Sequence, residues 1–140
     1  MNTPGQILSW TDQAISIWTT NGVKLQDGIS SNAISDFEKL LNFKFPQDFI
    51  DLYLKANGFE DFDWNEHMFS LWSFDRILKE YQEDNNNNYI GFCDFLINSH
   101  SIGFFKTETG IFKNYDQTQA IANTFKEGIE LINSNSGLIY

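Results

Sequence analysis

ISDFEKLLNFKFPQDFIDLYLKANGF, running from Ile34 to Phe59, reads as two amphipathic helices joined by a short link. Ile34, Phe37, Leu40 and Leu41 fall on one face of the first helix. Ser31 or Asn32 can cap it, while Ser35 and Glu38 have the spacing of a capping box one turn later. Pro46 suits the first turn of the second helix, where a missing N–H leaves no bond unmade. Asp48 suits the positive end of that helix's dipole. Phe49, Ile50, Tyr53 and Leu54 make its apolar stripe, and Asn57-Gly58 is expected to end it with a left-handed cap.

Working outward, Ile7, Leu8, Trp10, Ile15 and Trp18 give a helical pattern over Gln6 to Trp18, after the Pro4-Gly5 turn and before a break at Asn21-Gly22. Downstream, Met68 to Trp72 is an apolar run of strand length. Ser73 can cap a helix from Phe74 to about Glu83, with Ile77, Leu78 and Tyr81 turned inward. Asn85 to Asn88 reads as a surface loop. Tyr89 to Asn98, Ile102 to Lys106 and Ile111 to Tyr115 then read as three strands of an antiparallel meander. Ile121, Ala122, Phe125, Ile129 and Ile132 predict a last helix over Gln119 to Ile132, weakened by ~1 kcal/mol at Gly128. The tail from Asn133 to Tyr140 frays or adds an edge strand. With no internal repeat and no linker, residues 1–140 are expected to form one α+β domain. Its mostly antiparallel sheet of about four to six strands is flanked by N-terminal helices, a middle helix and a C-terminal helix.

The composition supports a packed core. Fourteen Phe and four Trp among 140 residues carry large apolar area. No run approaches the ~20 apolar residues that span a bilayer. MNTPGQILSW lacks a basic start followed by an apolar core, so no signal peptide is expected. Cys93 is the lone cysteine, which excludes an internal disulfide and multi-cysteine metal sites. A cytoplasmic location is expected, where thiols stay reduced.

Charge narrows the partners. Nineteen acids face nine Lys and Arg, for a formal charge of -10. Nucleic acids and anionic lipids are bound by basic clusters, which this chain lacks. Neither is expected as a partner, whereas a basic protein surface fits the sign of the field. Solubility is the plainer use of such a surplus. Twelve acids and five bases lie between Asp36 and Asp84. The densest part is Glu60-Asp61-Phe62-Asp63-Trp64-Asn65-Glu66, and Glu80, Glu83 and Asp84 make a second group.

Three segments resemble the SUKH superfamily of SMI/KNR-type domains. One comprises Ile34, Phe37-Glu38, Phe45-Pro46-Gln47-Asp48-Phe49 and Asn57-Gly58-Phe59. Another is Phe69-Ser70-Leu71-Trp72, leading into a short helix. The third is Ile90-Gly91-Phe92-Cys93-Asp94-Phe95-Leu96-Ile97, where Cys93 stands at a position more often glycine. The resemblance spans Ile29 to Phe125. It implies function by binding. Bacterial members are commonly immunity proteins that hold a cognate toxin domain, often a nuclease, inactive. Fungal relatives act as regulatory scaffolds, and another branch binds a translocation channel. The resemblance carries over no catalytic residues, and no cofactor is expected.

The candidate partner contact is therefore Glu60, Asp61, Asp63, Trp64 and Glu66, with Asp94 joining if it projects from a strand end. Carboxylates there would pair with Lys or Arg, and Trp64 would anchor the contact. The plainer reading is a solvated loop with Phe62 and Trp64 tucked into the core, and Asp94 accepting backbone bonds in a turn. His67 and His100, 33 residues apart, lack the spacing of a metal pair. Cys93 lies in an apolar run, where cysteine packs as a small hydrophobe. Asp61 and Asp63 lack the glycine and distal Glu of a calcium loop. The expected function is a non-catalytic, toxin-neutralising binding protein. The alternatives are a scaffold for an unrelated cellular protein and, more remotely, an enzyme using Asp94, His67 or Cys93.

Overall fold

The computed structural model describes residues 9–60, 63–65, 68–84, 87–95 and 100–134. In chain order the elements are α1 (Trp10–Thr20), β1 (Leu25–Asp27), α2 (Ser31–Leu41), α3 (Gln47–Tyr53), β2 (Ala56–Phe59), β3 (Phe69–Leu71), α4 (Phe74–Glu83), β4 (Tyr89–Phe95), β5 (His100–Phe105), β6 (Phe112–Lys113) and α5 (Phe125–Asn133). The α+β class is as expected. The strands form two antiparallel sheets, a β1–β2 pair and a four-stranded meander in the order β3-β4-β5-β6.

Local chemistry explains most boundaries. Ser9 caps α1 by accepting from the Asp12 N–H, and Gly22, at φ 83°, turns the chain after it. The expected start of this helix at Gln6 lies outside the described residues. Ser30, not Ser31, Asn32 or Ser35, caps α2, accepting from the Ala33 N–H at 3.2 Å. The Glu38 carboxylate, expected in a capping box, instead reaches forward to the Phe45 N–H at 2.8 Å and pins the link into α3. Pro46 stands at the N-cap of α3, and its carbonyl accepts from the Ile50 N–H.

Asn57-Gly58 does not cap α3, which already ends at Tyr53. The pair lies within β2. The Asn57 Oδ1 accepts from the Phe74 N–H at 2.9 Å and so helps cap α4. Gly58 has φ 76°, and a Cβ there would stand 2.5 Å from the Trp72 carbonyl. A left-handed glycine serves a close crossing of strand and helix entry here. Ser73 caps α4 as expected, accepting from the Arg76 N–H.

The C-terminal third differs more. Ile111 and Ala122 form an isolated antiparallel bridge, with Ile111 N–H donating to Ala122 O at 2.9 Å and Ile121 N–H to Ile111 O at 2.8 Å. Residues 121 and 122 thus spend their backbone groups on a long-range pair and cannot begin a helix. Thr124 caps α5 instead, accepting from the Glu127 N–H at 3.2 Å.

The inner face of the meander carries the core. Phe49 of α3 stands at its centre, 4.9 Å from Phe125, 5.7 Å from Phe104 and 6.3 Å from Phe92 by ring centroids. Phe45 and Tyr53 stack on either side of it, at 4.2 and 4.3 Å. Such aromatic pairs add about 0.5–1.5 kcal/mol each beyond the area they bury. Trp18 closes the α1 side, its indole N–H donating to Asn133 Oδ1 at 2.7 Å. Among the described residues no helix is long and apolar enough to cross a membrane.

Candidate functional site

The outer face of the meander carries a row of polar side chains. Ser70, Asp94 and Ser101 stand opposite one another across β3, β4 and β5. Directly opposed residues share a face. Ile102, the next residue in β5, is fully buried in the core, so Ser101 points the other way. Tyr89 joins this face through a 2.8 Å bond between its hydroxyl and that of Ser101.

Trp72 follows β3 directly. Its indole N–H donates to Asp94 Oδ1 at 2.8 Å. Its ring lies against Gly91, where a Cβ would be 2.9 Å from Trp72 Cζ3. Arg76 of α4 covers the ring, with its guanidinium carbon 4.6 Å from the centroid. The same guanidinium is 3.6 Å from Asp94 and 3.9 Å from Glu80. Asp94 is thus 4% exposed, inside β4 rather than at a strand end or in a turn. It orients Trp72 and Arg76.

A groove of about 320 Å³ opens between the C-terminal half of α4 and this face. Glu80, Tyr81, Glu83 and Asp84 form the helix side; Trp72, Tyr89, Gly91 and Ser101 line the sheet side, beside His100 and Asn114. Burial raises the Tyr89 hydroxyl's pKa far above the ordinary tyrosine range, against a smaller lowering by its bond to Ser101. The sequence marked the α4 acids only as a charge group; the partner surface across from them is set by strand pairing.

The acidic loop borders the same face. Ser70 Oγ donates to the Asp63 carbonyl at 2.7 Å, fixing the loop to the outer side of β3. The Asp63 carboxylate accepts from the Lys24 N–H at 2.6 Å and from the Trp64 N–H at 3.0 Å. Asp63 therefore clamps the loop to the segment before β1. Glu60 is exposed, and its N–H donates to the Lys24 carbonyl at 2.9 Å. Asn65, which sequence reasoning passed over, is buried and accepts from the Phe69 N–H at 3.0 Å. Trp64 is 40% exposed, so it does not tuck into the core. Asp61 and Glu66, with Phe62 and His67, lie outside the described residues.

Cys93 is buried on β4, and desolvation pushes its thiol pKa well above the ordinary value, with the Asp94 charge adding to the rise. Among the described residues no group of three or more His, Cys, Asp or Glu side chains could hold a metal ion.

Comparison with protein families places residues 28–131 under the SMI1 / KNR4 family (SUKH-1) model. No curated protein matches the chain.

Proposed function

The chain belongs to the SMI1 / KNR4 family (SUKH-1), and on that premise we propose that it is a non-catalytic binding protein that neutralises a cognate bacterial toxin. The contact runs through the acidic outer face of the meander. The partner surface is basic, as in toxin domains that cleave nucleic acid, and the carboxylates take the place of phosphates in its cleft.

The observation that carries this reading is that the acidic loop and the acids at the end of α4 border the same sheet. Ser70 ties the loop of Asp63 and Trp64 to one edge through the Asp63 carbonyl, and Glu80 and Glu83 of α4, with Asp84 at its C-cap, line the groove over the other part. The formal charge of -10 supplies a field of matching sign at longer range. Trp64, half-exposed beside these carboxylates, has the residue type enriched at binding hot spots.

Co-expression with a toxin encoded beside this chain tests the proposal. Cells carrying both should grow, and the two proteins should co-purify. Growth arrest despite full expression of the folded chain would reject toxin neutralisation. Capture of only a housekeeping protein would favour the scaffold reading instead.

A further inference from the structure

We propose that Asn21 is a site of spontaneous covalent modification: its side-chain amide closes onto the Gly22 backbone nitrogen, loses ammonia, and is turned by water into aspartate or isoaspartate at the end of α1.

This chemistry needs an asparagine followed by a residue whose nitrogen no side chain shields. The chain has two Asn-Gly pairs, Asn21-Gly22 and Asn57-Gly58, and the fold treats them in opposite ways. Asn21 and Gly22 are both exposed. Among the described residues the Asn21 side-chain amide has no hydrogen-bond partner. A Cβ placed on Gly22 would meet nothing within 4 Å. Solvent therefore reaches both the amide carbon and the attacking nitrogen. Asn57, by contrast, commits its Oδ1 to the Phe74 N–H at 2.9 Å. Gly58 is buried, and the space beside it is closed by the Trp72 carbonyl, 2.5 Å from where a Cβ would stand.

The turn itself sets what must move. The Asn21 N–H donates to the Ile17 carbonyl at 3.1 Å, the Gly22 N–H to Thr19 at 3.1 Å and the Val23 N–H to Trp18 at 2.9 Å. The last two are the bonds of a Schellman ending. Ring closure at Asn21 requires the Gly22 bond to open and the peptide between the two residues to turn, which glycine tolerates. Helix ends open at far lower free energy than packed strands. Freeing Asn57 requires β2 to part from the start of α4.

The step balances without a redox partner. The Gly22 nitrogen bonds to Asn21 Cγ as the Cγ–Nδ2 bond breaks, and the Gly22 proton leaves with Nδ2 as ammonia. Water then opens the ring. Attack at Cγ gives aspartate; attack at the Asn21 main-chain carbonyl gives isoaspartate, with the backbone routed through Cβ. The hydroxyl stays on the attacked carbon and a proton returns to the Gly22 nitrogen. Either product sets a carboxylate at the negative pole of α1, where it is disfavoured. Isoaspartate also lengthens the backbone and breaks the turn that holds Val23 on Trp18. Trp18 ties α1 to Asn133 of α5, so modification loosens the docking of α1.

The test incubates the folded full chain in mildly alkaline buffer. Peptide mapping by mass spectrometry locates the converted residues, and isoaspartate-directed enzymatic methylation scores the rerouted backbone. Conversion at Asn21 should run at least about tenfold faster than at Asn57, the gap between local and larger-scale opening. In denaturant the two sites should convert at similar rates. The aged chain should melt below the fresh one. The Asn21→Gln variant, whose longer side chain closes such a ring poorly, should keep its melting temperature through the same incubation. Equal conversion of the two sites in the folded chain, or a lead for Asn21 that persists in denaturant, would overturn the proposal. An aged chain that melts like the fresh one would refute the loosening of α1.

Discussion

Trp72 ties three parts of the molecule together. Its N–H holds Asp94, its ring rests on Gly91 beneath Arg76, and its carbonyl accepts from the Tyr53 hydroxyl at 2.6 Å. Gly91 is needed because any Cβ would push into that ring. Gly91→Ala should lower stability by about 1–3 kcal/mol, the usual penalty for overpacking. Denaturant unfolding, with the midpoint read at constant slope, measures it. An unchanged midpoint would mean that the ring shifts freely. Sequence alone put Gly91 within a strand but read Asp94 as a strand-end or turn residue, and could not assign its task. Its partners Trp72 and Arg76 are remote in the chain, and only folding brings them near. Cys93 shows the opposite case: an apolar neighbourhood already marks it as a core residue. Burial that raises its thiol pKa should leave it unreactive toward thiol reagents until the chain unfolds, and fast labelling of the native protein would contradict this.

Elements were legible where a cap and a period agree. The Ser73 cap and the inward Ile77 predict α4 correctly because both signals are local. Asn57-Gly58 and residues 119–124 mislead for a shared reason: their backbone groups are claimed by distant segments. The former lies against Trp72 and Phe74, and the latter pairs with Ile111. Gly58→Ala should cost about 2–4 kcal/mol, combining a positive φ with a clash against backbone. A loss below that of an ordinary surface change, seen as an unaltered melting temperature, would argue against the crossing. The last turn of α4 carries Glu80 and Glu83 with no basic residue, against the sign that the helix dipole favours there. Glu83→Lys should stabilise the free domain by about 0.3–1 kcal/mol. Calorimetry of the unbound protein checks this, and a lowered melting temperature would contradict it.

At the scale of the whole molecule, buried acids set the alkaline limit. Burial raises the pKa of Tyr53, Tyr89 and Cys93 in the folded state. The folded chain therefore holds protons that the unfolded chain releases above the ordinary values of 9.0 for Cys93 and 10.0 for the tyrosines. Their contribution is complete below those values and is lost as pH climbs past them. Stability should fall steadily from about pH 9 upward, beginning with the cysteine; a flat profile to pH 11 would show the groups to be solvated. The same scale governs partnership. If the partner is basic as proposed, opposite fields steer association and its rate should drop steeply with added salt; a rate indifferent to salt would leave the acidic surplus as a solubility device. The most direct test combines this with the α4 change. On the proposed reading, the affinity of the Glu83→Lys/Asp84→Lys variant for a toxin that the natural chain neutralises in the co-expression test is compared with that of the natural chain by titration calorimetry. A loss of at least about tenfold, with no drop in melting temperature, is the predicted result. Equal affinity in the two proteins would contradict binding through the outer face.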